Sequence, residues 1–189
     1  KKFRHKKLNI LLDPLSTSKY YYDLIKKYTY SCILTKDPIV SFKSIKTTKE
    51  INNIIDAHLY DGIALCKFIY WLKNINYQIF ELDIVKKIDA LREKNRFFLC
   101  RSFPTIAGSG PNGAIIHYIP NEKTNRKILK NDIILIDSGG QYKLGTTDVT
   151  RTVSIGKPTK NQILNYTLVL KGHINLSIAI FPKGESGGY

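Results

Sequence analysis

Residues 102–152 begin SFPTIAGSGPNGAIIHYIP, pass through a polar connection, and end IILIDSGGQYKLGTTDVTRT. Two carboxylates, Asp137 and Asp148, have ten residues between them. Both stand in runs with the marks of β-strands. Residues 133–136 are a short apolar run, residues 146–155 are rich in β-branched side chains, and Ser-Gly-Gly with a further Gly lies between. If the runs pair as a hairpin, the carboxylates lie side by side on one face, where cross-strand Cβ atoms are about 5 Å apart. Like charges that close are unfavourable unless a cation sits between them. Hard divalent ions take carboxylate oxygens, and a two-ion site needs ligands that bridge.

The residues just before this pair read as a strand over 96–109 entering the turn Gly108-Ser109-Gly110-Pro111-Asn112-Gly113. The turn lacks the Lys-Ser/Thr ending of a phosphate loop and a helix directly after it, so it reads as a tight turn beside a substrate pocket. Residues 114–118 read as a strand with His117 on the face opposite Ile116 and Tyr118. Alternation from Asp148 puts Thr150 and Thr152 on its face, where a hydroxyl could orient the carboxylate or simply favour the strand. Arg151 points the other way, towards a salt bridge.

The words GPNGAIIHY, IDSGGQY and GTTDVTRT closely resemble aminopeptidase P, the Xaa-Pro aminopeptidase branch of the pita-bread metallopeptidases, and the eukaryotic cytosolic type in particular. VLKGHI at 169–174 and the helix around 56–72 extend the likeness over roughly residues 38–184. Methionine aminopeptidases and prolidases share the paired Asp but resemble these words less. The resemblance implies an α+β fold, the N-terminal half of a pita-bread domain, whose antiparallel curved sheet is backed by helices. It also implies that Asp137 binds one metal and Asp148 bridges two, with Mn²⁺ the implied ion and Zn²⁺ or Co²⁺ the alternatives. His117 would then assist at the substrate carbonyl. The implied activity releases the N-terminal residue of peptides with proline second, by way of a metal-bridging hydroxide. A cytoplasmic homodimer acting on Xaa-Pro peptides belongs to the same implication. The family completes its site with a His and two Glu after an HGTGHG-like segment. The four His here, His5, His58, His117 and His173, lie in no such segment, so those ligands are expected beyond Tyr189.

Composition bounds the rest. With 43% hydrophobic residues among 189, the chain can bury a core. It has no Met, which with the SGGY ending reads as a segment of a longer protein. No apolar run approaches the roughly 18 residues of a membrane span, and no signal-peptide pattern opens it. Cys32, Cys66 and Cys100 form no C-x-x-C pair and read as reduced core thiols. The net charge of +15 is spread, with 11 Lys/Arg and 5 Asp/Glu in residues 101–189 against 19 and 10 in residues 1–100. A nucleic-acid footprint would be clustered on one stripe, so the excess reads as compositional bias on solvated positions.

Residues 1–37 read as the tail of a preceding creatinase-like α/β domain: a basic lead-in, a strand over 8–12, a cap at Ser16–Ser18, a helix over 20–28 and a strand over 31–34. The joint falls at Asp37-Pro38, giving 38–189 to the pita-bread domain. Thr47-x-x-Glu50 opens a helix of roughly seven turns, with Ile51, Ile54, Ile55, His58, Gly62, Leu65, Cys66, Ile69 and Leu72 as its apolar stripe. A second helix over 82–93 turns Leu82, Val85, Ile88 and Leu91 inward and Arg92 outward. Thr159-x-x-Gln162 opens a last helix to about Ile180, with Ile163, Tyr166, Val169, Leu170, His173, Leu176 and Ile180 buried. The alternative to the enzyme is a non-catalytic pita-bread module that binds protein or nucleic acid. Retention of Asp137, Asp148 and His117 favours the enzyme.

Overall fold

The computed structural model describes residues 9–28, 31–185 and 187, so the basic lead-in, Leu8 and most of the SGGY ending lie outside the described residues. The chain forms two compact units, Lys1–Ile51 and Asn52–Tyr189. That division falls later than the joint read at Asp37-Pro38.

In the first unit, β1 (Asn9–Leu12) and β2 (Ser31–Leu34) pair in parallel, with α1 (Lys19–Lys27) between them in sequence. Such a pair needs a crossover connection, which α1 supplies. Asp13 accepts the Leu15 and Asp37 N–H groups, tying the end of β1 to the start of α2 (Pro38–Ser44). Those N–H groups, Asp37 first, hold the Asp13 carboxyl below its usual range. Asp37 caps α2 by accepting the Ile39 N–H, and Pro38 takes the first turn, where no N–H is needed.

α3 (Thr48–Lys73) begins at the expected capping box. The Thr47 N–H donates to Glu50 at 2.7 Å and the Glu50 N–H to Thr47 Oγ1 at 3.3 Å. Its buried face is Ala57, Asp61, Ala64, Leu65, Phe68 and Leu72, rotated from the expected stripe. Ile51, Ile55, His58 and Cys66 are exposed. Cys100 is exposed too, so neither it nor Cys66 is a core thiol. α4 (Glu81–Arg92) buries Glu81, Ile84, Val85, Ile88, Asp89 and Arg92.

These helices share one core with a three-stranded antiparallel sheet in the order β4 (Ile106–Ser109), β5 (Ile133–Ser138), β7 (Val149–Ser154). Phe68, Leu72, Ile84, Ile88, Ala107, Ile134, Ile136 and Val153 meet there. Each large side chain fully buried in this way contributes about 1.5–3 kcal/mol. A second pair, β3 (Phe98–Arg101) with β6 (Gly140–Tyr142), bulges between Phe98 and Cys100. The expected strand over 96–109 is therefore two strands serving two sheets.

Arg92, expected outside, is fully buried. Its guanidinium forks onto Asp61 (2.7 and 3.2 Å) and reaches Ser138 Oγ, while the Tyr142 hydroxyl donates to the same Asp61. Burial first, then the Asp61 carboxylate, holds that hydroxyl far above its ordinary range. A buried charge must be paired and hydrogen-bonded; here the pairing also joins α3, α4, β5 and β6.

α5 (Lys160–Ile178) carries its own capping box, Thr159 N–H to Gln162 at 2.7 Å and Gln162 N–H to Thr159 Oγ1 at 3.2 Å. The expected buried stripe is exposed instead. Val169 is 74% and Leu176 72% exposed, and no α5 residue is buried. Among the described residues, no helix is long and apolar enough to cross a membrane.

Candidate metal and carbonyl site

β5 alternates. Ile134, Ile136 and Ser138 face the core; Ile133, Leu135 and Asp137 face away. Asp137 has Ile106 on one side and Thr150 on the other. One of its oxygens, Oδ1, is buried without any hydrogen-bond partner. An orphaned buried carboxylate oxygen is costly, and it suits an atom meant to bind a cation.

Asp148 stands one residue before β7 and is exposed. The register nonetheless runs past the strand end. Ser138 faces Val149, and Gly140 exchanges hydrogen bonds with Thr147, N–H to Oγ1 at 2.9 Å and carbonyl from the Thr147 N–H at 2.9 Å. Asp148 therefore lies opposite Gly139, on the face of Thr150 and Asp137. The carboxylates are not directly opposed, as the hairpin reading expected. They are diagonal, a relation of about 7–8 Å in an antiparallel pair. Thr150, opposite Asp137, stands between them in the pattern.

This approach depends on Gly139. A Cβ there would lie 1.9 Å from the Thr147 carbonyl oxygen and 2.2 Å from Ser102 Oγ. Ser102 closes the same contact from β3's side, donating from Oγ to that carbonyl at 2.8 Å and from N–H to the Gly139 carbonyl at 3.1 Å. Ser-Gly-Gly is thus a site of close packing as well as a turn.

His117 does not lie on a strand. Gly110–Ala114 close into a 3₁₀ turn, Pro111 in its first turn, and a further turn carries residues 115–117. His117 is exposed with φ of +57°, and Tyr118 after it is buried. A non-glycine residue in the left-handed region is uncommon, His being among the types enriched there, and such outliers cluster at functional sites. Among the described residues, His117 hydrogen-bonds to neither carboxylate. Nor do three His, Cys, Asp or Glu side chains gather around one point among them. The structure brings Asp137 and Asp148 together and leaves His117 on the turn after β4.

An open groove runs between β7 and α5, floored by Thr150 and Thr152 and walled by Tyr166, Val169 and His173. His173 is exposed in that wall rather than packed against the sheet. Thr150 links the groove to the Asp137 face.

A buried cluster missed by the sequence reading surrounds Glu81. Its carboxylate accepts from Ser109, Asn112, Tyr118 and the Arg126 N–H. No spacing signal marks Glu81, because every partner lies at least 28 residues downstream. Burial first, with Glu81 beside it, raises the Tyr118 hydroxyl pKa.

Residues 52–188 match metallopeptidase family M24. An Xaa-Pro aminopeptidase of Drosophila melanogaster is 43% identical over 153 residues, which are 79% of this chain and 25% of that protein. A probable Xaa-Pro aminopeptidase P of Aspergillus fumigatus is 45% identical over 157 residues, 81% of this chain and 24% of that one. The chain spans about a quarter of the length of the curated relatives it matches. Among solved structures, the X-prolyl aminopeptidase of Caenorhabditis elegans superposes with a TM-score of 0.75 at 40% identity, over 83% of this chain and 26% of that one. It is described as a cytosolic enzyme with a di-nuclear active site. A prolidase of Pyrococcus furiosus, 24% identical over 88% of this chain and 48% of that one, shares the fold with a TM-score of 0.73.

Proposed function

We propose, from the premise that this chain belongs to metallopeptidase family M24 and folds as part of a pita-bread domain, that it contributes part of the active site of an Xaa-Pro aminopeptidase. The observation that carries the reading is the buried, unpartnered Oδ1 of Asp137 on the same sheet face as Asp148. Carboxylate oxygens are the donors that hard divalent ions prefer. Asp137 and Asp148 would hold two ions, Asp148 bridging them. Mn²⁺ is the metal we assign, in keeping with the all-oxygen donors in hand. When bound, such ions supply Lewis acidity and an activated water.

The protein's own residues then have distinct tasks. Asp137 and Asp148 hold negative charge in place, and Thr150 lies where its hydroxyl can orient a neighbouring carboxylate. His117 donates to the substrate carbonyl oxygen as charge develops there. Two carboxylates leave both ions under-coordinated, so the reading requires further ligands besides the described residues.

The finer assignments are proposals of the same kind. Residues 1–37 are the tail of a preceding α/β domain and 38–189 belong to the pita-bread domain. The parallel β1–β2 pair and the opening of α2 at Pro38 support that division. A cytoplasmic location draws support from the cytosolic worm enzyme. Homodimeric assembly rests on family likeness.

The test is hydrolysis of an Xaa-Pro peptide by the active enzyme, with metal analysis beside it. Asp148→Asn keeps the shape and removes the bridging charge. Turnover should vanish and metal should be released. An Asp148→Asn enzyme that keeps both ions and full turnover would overturn the assignment.

A further inference from the structure

Glu81 is the first residue of α4, and its side chain is fully buried. Both oxygens are saturated. Oε1 accepts the Ser109 N–H at 2.7 Å, Ser109 Oγ at 2.9 Å and Asn112 Nδ2 at 3.1 Å. Oε2 accepts Asn112 Nδ2 at 3.0 Å, the Tyr118 hydroxyl at 2.7 Å and the Arg126 N–H at 3.1 Å. The helix N-terminus favours a carboxylate at this point.

These partners share a location. Ser109 enters the 3₁₀ turn, Asn112 lies inside it, and Tyr118 follows His117 directly. Arg126 closes the far side, donating to Ser109 Oγ at 2.7 Å. Its guanidinium lies close against Gly110, where a Cβ would come within 3.0 Å of it. The strained residue of the turn, His117, is thus bracketed by two residues whose side chains end on one carboxylate. Left-handed conformations persist only where the surroundings over-determine them, and this cluster supplies that determination.

We infer that Glu81 is a positioning residue for His117, fixing the turn that presents the imidazole to the substrate carbonyl. The inference rests on the reading of His117 given above, and the experiment separates the two. Glu81→Gln is close to isosteric yet cannot satisfy the cluster. One backbone N–H points at each oxygen, so either orientation of the amide sets its NH₂ against a backbone donor.

Two measurements are needed. In the 189-residue chain, NMR follows the His117 backbone and imidazole signals, with the Ile134 and Ile136 methyls as core reporters. Glu81→Gln should move or broaden the His117 signals and leave the core methyls in place. In the active enzyme it should lower kcat on an Xaa-Pro peptide by up to about 10²-fold, the scale of a misplaced group, with KM little changed. Placed on His117→Ala, it should cause no further loss. If Glu81→Gln fails to fold, Asn112→Ala, which removes a partner from the half-buried turn, carries the same expectations. Unmoved His117 signals in a folded variant, or losses that add in the double variant, overturn the positioning role. If His117→Ala leaves kcat intact, it is the reading of His117 as donor that fails, and the His117 signals alone then decide whether Glu81 sets the turn.

Discussion

Asp137, Asp148, Thr150 and His117 differ in what the fold asks of them, and their substitutions should differ accordingly. Thr150 faces Asp137 directly across the β5–β7 ladder. Thr150→Val keeps the strand and removes only the hydroxyl, so metal affinity or activity should fall by about 10- to 100-fold, as for other groups that orient a ligand. His117→Ala should leave metal content intact and lower kcat by about 10²–10³, the usual effect of losing one oxyanion donor. Metal analysis with steady-state kinetics reads both. That Asp137 and Asp148 share a sheet face was legible from the strand character of both runs, whereas their roles as ligands were expected from the family resemblance. Their diagonal offset was not, since it depends on a register that Gly139 and Thr147 settle through close contact. The strand expected at His117 failed for a local reason: the 3₁₀ turn takes in Ala114, the Tyr118 N–H closes a further turn onto the Ile115 carbonyl, and His117 at φ +57° cannot continue a strand.

Helices and strands were easier to find than to orient. Both Thr capping boxes form as read, because an N-terminal Thr with Glu or Gln three residues on satisfies two donors at once. Glu50 accepts both the N–H and the hydroxyl of Thr47, the N–H weighing most, and its pKa is lowered. A depressed carboxyl stabilises the fold above its unfolded pKa, about 4.3, and this contribution is lost as pH falls through the folded value. The Thr47 amide shift should therefore titrate with a midpoint below about 4.3, and Glu50→Gln should abolish that titration. The face of α3 was misread because apolar residues occur nearly all round it. Asp61 chose the face by its fork with Arg92, 31 residues away, and a charged side chain on a helix gives no sign of such a partner. Arg92→Ala leaves Asp61 buried with only the Tyr142 hydroxyl beside it and should destabilise by about 3–5 kcal/mol in chemical denaturation. Gly139→Ala has no room for its methyl group, so it should cost at least the roughly 1–3 kcal/mol of an overpacked core. It should also part the Asp148 segment from β5, visible as loss of Thr147 amide protection in hydrogen exchange.

Across the whole molecule, reading α5 as buried presumed a partner for its apolar stripe. Among the described residues, that helix walls the β7 groove with Tyr166, Val169 and His173 and leaves Leu176 exposed elsewhere. The catalytic assignment has the same character at larger scale. Asp137 and Asp148 provide four oxygens, some of which must bridge, whereas ions of the Mn²⁺ class favour octahedral oxygen sites. No third His, Cys, Asp or Glu joins them among the described residues, and the net charge of +15 disfavours capture of cations by the general field. The 189-residue chain should therefore bind Mn²⁺ weakly in calorimetric titration and release no residue from an Xaa-Pro peptide. The same titration on Asp137→Asn should remove what weak binding there is, because Oδ1 is a buried carboxylate oxygen with no hydrogen-bond partner. Tight uptake of two ions by the 189-residue chain would mean that its own residues hold another ligand set, and the division of labour proposed for Asp137 and Asp148 would have to be abandoned.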